Sequence, residues 1–120
     1  MVNPPAHPAL PGLDALEHAL EALWNRQAQP LSDALALAAA RTLLDELPRL
    51  LRDPGHRGLR EAICQAALQA GMAMGQTRSA IAHALSVTLT LQQRLPHGRA
   101  CAHWLPRAWR AAQGRCPALD

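Results

Sequence analysis

The sequence has no phenylalanine, no tyrosine and no lysine, and only three of its 120 residues are tryptophan. Without other aromatic rings the hydrophobic core has to be built from alanine and leucine, and a chain of this length can bury one modest core. No run is long and apolar enough to span a bilayer, so we predict no membrane partner. The first residues, MVNPPAHPALPG, lack the basic segment and apolar run of a secretory signal, which favours a cytoplasmic protein.

Positive charge comes from arginine alone and is scattered along the chain. Twelve arginines against nine acidic residues give a formal net charge of +3 at pH 7. These arginines form no recognised nucleic-acid-binding motif, so we predict no nucleic acid partner. The three cysteines, Cys64, Cys101 and Cys116, form neither a CxxC pair nor a disulfide framework, and Cys64 is expected to be a small core residue.

Apolar residues recur at three- and four-residue steps and predict an all-α bundle of about five helices. Four prolines make residues 1–12 an extended leader. Pro48 is expected to kink the second helix or mark its last turns, and Pro106 to bend or break the fifth. The expected helices run from Leu13 to about Gln27, from Ser32 past Pro48, from Leu59 to Met74, over residues 79–93, and from His97 to about Ala112.

Residues 79–93 allow two interpretations. The segment SAIAHAL is typical of a helix, whereas SVTLTL alternates and is rich in β-branched residues, as in a strand. Since the flanking elements look helical and no partner strand is evident, we predict a helix. Gly71 and Gly75 are expected to let another backbone come close, or to weaken the end of the third helix. The predicted inward residues are Leu35, Ala38, Ala39, Leu43, Leu44, Leu47, Leu50 and Leu51 in the second helix, and Ile63, Ala67, Leu68, Ala70 and Met74 in the third.

Four polar residues stand out as a candidate metal site. Asp14 and His18 are four residues apart on one helix face, so their side chains can converge on one ion. Taken alone this pair is a weak signal, because Asp14 also suits the helix dipole and His18 could be a hydrogen-bonded core histidine. His83 lies in an apolar run and His97 in a Pro-His-Gly turn. One carboxylate with three imidazoles suits a divalent transition metal such as Fe2+, Zn2+ or Co2+.

The chain resembles the iron-containing (group III) alcohol dehydrogenases over about residues 12–110. The similar segments are GLDALEHALEALWNRQAQPLSDALALAAARTLLDELPRLL, GMAMGQTRSAIAHALS and LPHGRACAHWLP. The segment GQTRSAIAHALS is similar to the sequence of the phosphonoacetaldehyde reductase-like branch, although this chain has Val87 and Thr88 where that branch would have Tyr and Pro. The resemblance implies an all-α, dehydroquinate synthase-like C-terminal domain. It also implies that the metal ligands are Asp14, His18, His83 and His97.

The same resemblance implies an NAD(P)-dependent oxidoreductase that interconverts alcohols and aldehydes by hydride transfer. No glycine-rich phosphate-binding loop occurs in the chain, so the family's nucleotide-binding domain is expected to be missing. We therefore predict a Pro-rich leader at 1–12 and a partial, truncated helical metal-binding domain at 13–120, inactive alone. The expected cofactor is a divalent metal, Fe2+ ahead of Zn2+, with NAD(P) bound only together with the missing domain. No catalytic residue beyond the metal ligands is identifiable.

The expected partners are a nucleotide-binding chain or a second copy of this chain, with a small alcohol or aldehyde as substrate in the full enzyme. Two alternatives remain open. One is a non-enzymatic helical metal-binding or oligomerisation module that packs through exposed apolar faces. The other is a helical bundle whose aspartate and histidines are satisfied by hydrogen bonds and hold no metal. A neighbouring reading frame that encodes a glycine-rich α/β domain would favour a split dehydrogenase over both.

Overall fold

The computed structural model describes residues 9–78, 81–95 and 97–112. These ranges contain five α-helices and no strand, which confirms the predicted all-α bundle, including a helix over SVTLTL. Within these ranges, every helix is too short or too polar to bridge a membrane. The helices are α1 (Ala9–Trp24), α2 (Pro30–Arg52), α3 (Arg57–Thr77), α4 (Ile81–Gln93) and α5 (His97–Ala112).

Helix α1 begins inside the proline-rich segment, at Ala9 and not at Leu13. Pro11 is the third residue of this helix, and the first residues of a helix have no intrahelical partner for their N–H groups. The proline therefore removes no hydrogen bond and starts the helix without breaking it. Residues 1–8, the rest of the predicted leader, lie outside the described part of the chain.

The ends of α2 and α3 are fixed by local hydrogen bonds. Pro30 is the first residue of α2, and the buried hydroxyl of Ser32 accepts from the backbone N–H of Gln29 and donates to its carbonyl, both at 3.0 Å. Pro48 lies one turn before the end of α2 at Arg52. Arg78, after α3, has a φ of 64°, and its carbonyl accepts a hydrogen bond from the side-chain amide of Asn25 at 3.1 Å. This contact joins the end of α3 to the loop that follows α1.

The main core lies between α1, α2 and α3 and consists of alanine and leucine, as predicted, with Ile63 as the one other residue type among its buried members. In α2 the buried residues form a narrow stripe: Ala36, Ala39, Ala40, Leu43, Leu47 and Leu50. Leu44 and Leu51 lie at the edge of this stripe and are 59% and 43% exposed, so the prediction that they point inward is wrong. Ala38 is exposed as well. The helix has more apolar residues than its buried face can hold, so apolarity alone did not define that face.

Helix α3 also has more apolar residues than its buried face can hold. Its buried residues are Leu59, Ile63, Ala66, Ala70, Ala73 and Thr77. Leu68 lies on the opposite side and is 65% exposed, and Cys64 is an exposed free thiol. The predictions of an inward Leu68 and a core Cys64 are therefore wrong. Both follow from an alanine-rich helix whose apolar residues surround its axis.

Helices α4 and α5 pack against each other and join the rest of the bundle through α1. Helix α5 is continuous through Pro106. A Cβ atom on Gly98, the second residue of α5, would collide with the backbone carbonyl of Leu10 in α1. Gly71 and Gly75 have no neighbouring atom within 4 Å of such a Cβ, so the predicted close approach at those two positions is wrong. The close backbone contact occurs at Gly98, where the start of α5 rests on the first turn of α1.

Candidate metal centre

One face of α1 carries a polar stripe, which we define as Asp14, Glu17, His18 and Glu21. These residues recur at three- and four-residue steps and so share one side of the helix, opposite the alanines and leucines that enter the core. Glu17 and Glu21 are 0% and 1% exposed. Leu10, whose backbone touches Gly98, lies one turn before Asp14 on the same side. The stripe is therefore buried on the side of α1 that meets α5, so α1 is covered on both faces.

Three side chains of this stripe bring possible metal ligands together. The Nε2 atom of His18 lies 3.5 Å from Oδ2 of Asp14, and its Nδ1 atom lies 3.5 Å from Oε2 of Glu17. One ligand atom from each of the three residues lies within 4.8 Å of the others. In the part of the chain that the structure describes, this is the one group of three such residues that could hold an ion.

The separation of Asp14 and His18 fits two ligands of a single ion. A distance of 3.5 Å between Nε2 and Oδ2 is longer than an ordinary hydrogen bond. Two atoms held about 2.1 Å from a tetrahedral ion lie about 3.4 Å apart, which matches the observed gap. The His18 side chain is 14% exposed and that of Asp14 31%, so the pair is shielded from bulk water but not sealed. The donor chemistry and the spacing both suit a divalent transition metal.

The other two predicted ligands belong to α4 and α5, which pack on each other. His83 is in the first turn of α4 and His97 is the first residue of α5, but the side chains of both lie outside the described part of the structure. The backbone next to His97 is placed by Gly98, which contacts the first turn of α1. The start of α5 therefore lies beside the helix that carries Asp14 and His18. The joint site of four residues stays a prediction.

The histidines that were not predicted to bind the metal are His7, His56 and His103, and the structure describes the surroundings of the last two. The Nδ1 atom of His56 accepts a hydrogen bond from the backbone N–H of Leu59 at 3.2 Å, so this ring caps the start of α3. The ring of His103 lies edge-on to Trp104, with centroids 5.4 Å apart, and is exposed on α5. His7 lies outside the described residues. Both described rings thus have local structural roles.

Glu17 is the site residue that the sequence analysis did not identify. Its carboxylate is fully buried next to His18, although its position before a histidine in an amphipathic helix suggests an ordinary solvated glutamate. One signal was available: Glu17 follows Asp14 by three residues, which places both on one helix face. Counting every polar residue on that face would have included it.

Comparison with known proteins matches the chain to a part of longer proteins. Residues 9–118 match the family described as "Fe-containing alcohol dehydrogenase family, C-terminal". A sulfoacetaldehyde reductase of Bilophila wadsworthia is 33% identical over 103 residues, which cover 86% of this chain and 27% of that protein. A 1,3-propanediol dehydrogenase of Klebsiella pneumoniae is 36% identical, over 90% of this chain and 28% of its own length.

The fold has a close counterpart among solved structures. The crystal structure of sulfoacetaldehyde reductase from Bifidobacterium kashiwanohense in complex with NAD+ aligns with a TM-score of 0.85 at 32% identity. The alignment covers 89% of this chain and 28% of that chain. The 120 residues thus span little more than a quarter of the relatives they match.

Proposed function

Since the chain belongs to the Fe-containing alcohol dehydrogenase family, with residues 9–118 matching its C-terminal part, we propose that it is the metal-binding helical portion of an NAD(P)-dependent alcohol dehydrogenase. The proposed reaction is hydride transfer between the carbon of a small alcohol or aldehyde and the nicotinamide. The observation that carries this proposal is the Asp14–His18 pair, whose ligand atoms lie 3.5 Å apart on a partly buried helix face.

Asp14, His18, His83 and His97 are the proposed ligands of one divalent ion. Fe2+ is the first choice and Zn2+ the second, because imidazole and carboxylate ligands accept both. When bound, the ion supplies a Lewis acid at the substrate oxygen. In this chain, α1 presents a carboxylate and an imidazole one turn apart, and the packing of α4 and α5 on α1 limits the access of water.

Hydride transfer also needs a nucleotide site, and these 120 residues contain no glycine-rich phosphate-binding loop. We propose that the NAD(P)-binding part comes from residues outside this sequence, in the same polypeptide or in a partner chain, and that the helical portion alone does not transfer hydride. We place the protein in the cytoplasm, where the exposed thiol of Cys64 stays reduced.

A second candidate is a non-enzymatic metal-binding or oligomerisation module. Exposed apolar residues on α3 favour it: Cys64, Leu68 and Met72 follow one another at four-residue steps, and the last two are 65% and 51% exposed. Such a stripe can pack against a second copy of the chain. Light scattering on the wild type and on Leu68→Glu tests this second candidate, because an oligomerisation module that packs through this stripe requires a dimer that the introduced charge abolishes.

The experiment for the metal site is a measurement of metal content after anaerobic purification with Fe2+ and Zn2+ supplied. We expect about one ion per chain, lost in Asp14→Ala and in His97→Ala. His103→Ala is the matched control, because it removes an exposed histidine from the same helix as His97. Far-UV circular dichroism checks that each variant stays helical. A wild type without metal, or an equal loss in His103→Ala, contradicts the proposal.

A further inference from the structure

The imidazole of His18 lies between two carboxylates of its own helix. Its Nε2 atom faces Asp14 and its Nδ1 atom faces Glu17, each at 3.5 Å. The two carboxylates differ in burial, because the side chain of Asp14 is 31% exposed and that of Glu17 is 0% exposed. The two ring nitrogens of His18 therefore face unequal electrostatic environments.

This asymmetry bears on the tautomer of His18. A neutral imidazole carries one N–H, and only the other nitrogen has the lone pair that binds a metal. An ionised carboxylate accepts hydrogen bonds and attracts the proton to the nearer nitrogen. Water screens a charge on Asp14, whose side chain is 31% exposed, more than a charge on the fully buried Glu17, which acts in a medium of lower dielectric constant. The stronger attraction therefore favours the proton on Nδ1 and leaves the lone pair on Nε2.

We propose that Glu17 is a positioning residue: its buried carboxylate, 3.5 Å from Nδ1 of His18, attracts the ring proton to that nitrogen and so directs the Nε2 lone pair to the side of Asp14. The proposal rests on the metal site put forward above and adds the residue that orients one of its ligands. Histidine ligands commonly donate their second ring N–H to a carboxylate, which fixes the ring and raises its basicity. Between His18 and Glu17 the attraction is electrostatic, because 3.5 Å is longer than an ordinary hydrogen bond.

The alternative role for Glu17 is direct ligation, since its carboxylate also lies within 4.8 Å of the ligand atoms of Asp14 and His18. Positioning is favoured because Oε2 of Glu17 approaches Nδ1, the nitrogen on the side of the ring away from Asp14. A ligand would instead share the Nε2 side with Asp14. The two roles differ in their effect on the metal-free tautomer, which only positioning controls.

Two variants test the proposal. Glu17→Gln keeps the shape of the side chain and removes its charge. Glu21→Gln is the matched control, because Glu21 lies one turn further along the polar stripe and is equally buried at 1% exposure. The first readout is the tautomer of His18 in the metal-free chain, from nitrogen-15 chemical shifts of the imidazole. The second is the affinity for Zn2+ by calorimetry, with thermal melting to confirm that both variants fold.

We expect the wild-type His18 to carry its proton on Nδ1, and Glu17→Gln to shift the population toward the Nε2–H tautomer. Zn2+ affinity should fall about 10- to 100-fold in Glu17→Gln, with Glu21→Gln unchanged in both readouts. A wild type with its proton on Nε2 overturns the proposal without any variant. A Glu17→Gln chain that loses Zn2+ but keeps the wild-type tautomer also overturns it, since Glu17 would then be a ligand. If the wild type binds no Zn2+, the proposed function fails while the tautomer still tests Glu17.

Discussion

Replacing Gly98 by alanine is expected to destabilise the bundle and separate α5 from α1. The added Cβ would lie 2.8 Å from the carbonyl carbon and 3.0 Å from Cα of Leu10, and closer still to its oxygen. Ordinary contact begins at 3.4 Å, so the start of α5 must move by at least about 0.6 Å. Both sides of the contact are helical backbone, which cannot rotate away as a long side chain can. Overpacking of this kind lowers the free energy of unfolding by about 1–3 kcal/mol. The replacement of glycine by alanine in a helix offsets roughly 0.5–1 kcal/mol of this loss.

The matched control for Gly98→Ala is Gly71→Ala in α3, where a new Cβ meets no atom within 4 Å. The free energy of unfolding of this variant should rise by about 0.5–1 kcal/mol, because alanine has less backbone freedom to lose on folding than glycine. At roughly 4 °C per kcal/mol for a chain of this size, melting temperatures should move in opposite directions, down for Gly98→Ala and up for Gly71→Ala. Zn2+ affinity should fall only in Gly98→Ala, because that helix carries His97. Equal shifts of the same sign would refute the inferred contact between α5 and α1.

Three further predictions concern the core, a helix cap and the ion. In urea unfolding, Leu43→Ala should lower the free energy of unfolding by about 2–5 kcal/mol, because Leu43 is 0% exposed. Leu44→Ala should change it by no more than about 0.5 kcal/mol, because Leu44 is 59% exposed. Similar losses in the two variants would contradict the orientation of α2. Ser32→Ala should lower the free energy of unfolding by about 1 kcal/mol, because the backbone of Gln29 loses its hydrogen bonds with the Ser32 hydroxyl, and an unchanged melting curve would contradict this role. Zn2+ at 100 times its Kd should raise the free energy of unfolding by about 2.7 kcal/mol, and a chelator should reverse the gain; a melting temperature insensitive to both would count against the site.

The five helices could be predicted because apolar residues recur at helical steps and because caps and prolines mark their starts. The segment SVTLTL is the informative case. Its alternation favours a strand, but a strand needs a partner, and the residues around it form helices. Sequence did less well on which face of a helix is buried. In an alanine-rich chain the apolar residues surround the axis, so Leu44 and Leu68 carry the same local signal as Leu43 although only Leu43 is buried.

In the candidate site, too, contacts within one helix could be predicted from the sequence and contacts between helices could not. Asp14 and His18 lie within one helix, where spacing alone predicts that they meet, and the structure places them 3.5 Å apart. Glu17 was not predicted, because polarity in an amphipathic helix is taken as a sign of exposure, whereas Glu17 is fully buried in a helix that packs against α2, α3 and α5. His83 and His97 come from other helices, so no local pattern joins them to α1. The resemblance to a family supplied that link.

The position of α1 has a consequence for how an ion enters and leaves. Helices α2 and α3 hold one face of α1, while α4 and α5 reach the bundle through the other. The α4–α5 pair can therefore detach as a unit while the core of α1, α2 and α3 stays folded, and such partial opening costs less than global unfolding. Each opening would expose the polar stripe to water. Metal exchange is then expected to follow the opening rate of this hairpin, with amide hydrogen exchange in α4 and α5 slowed by the bound ion and that in α2 and α3 unaffected.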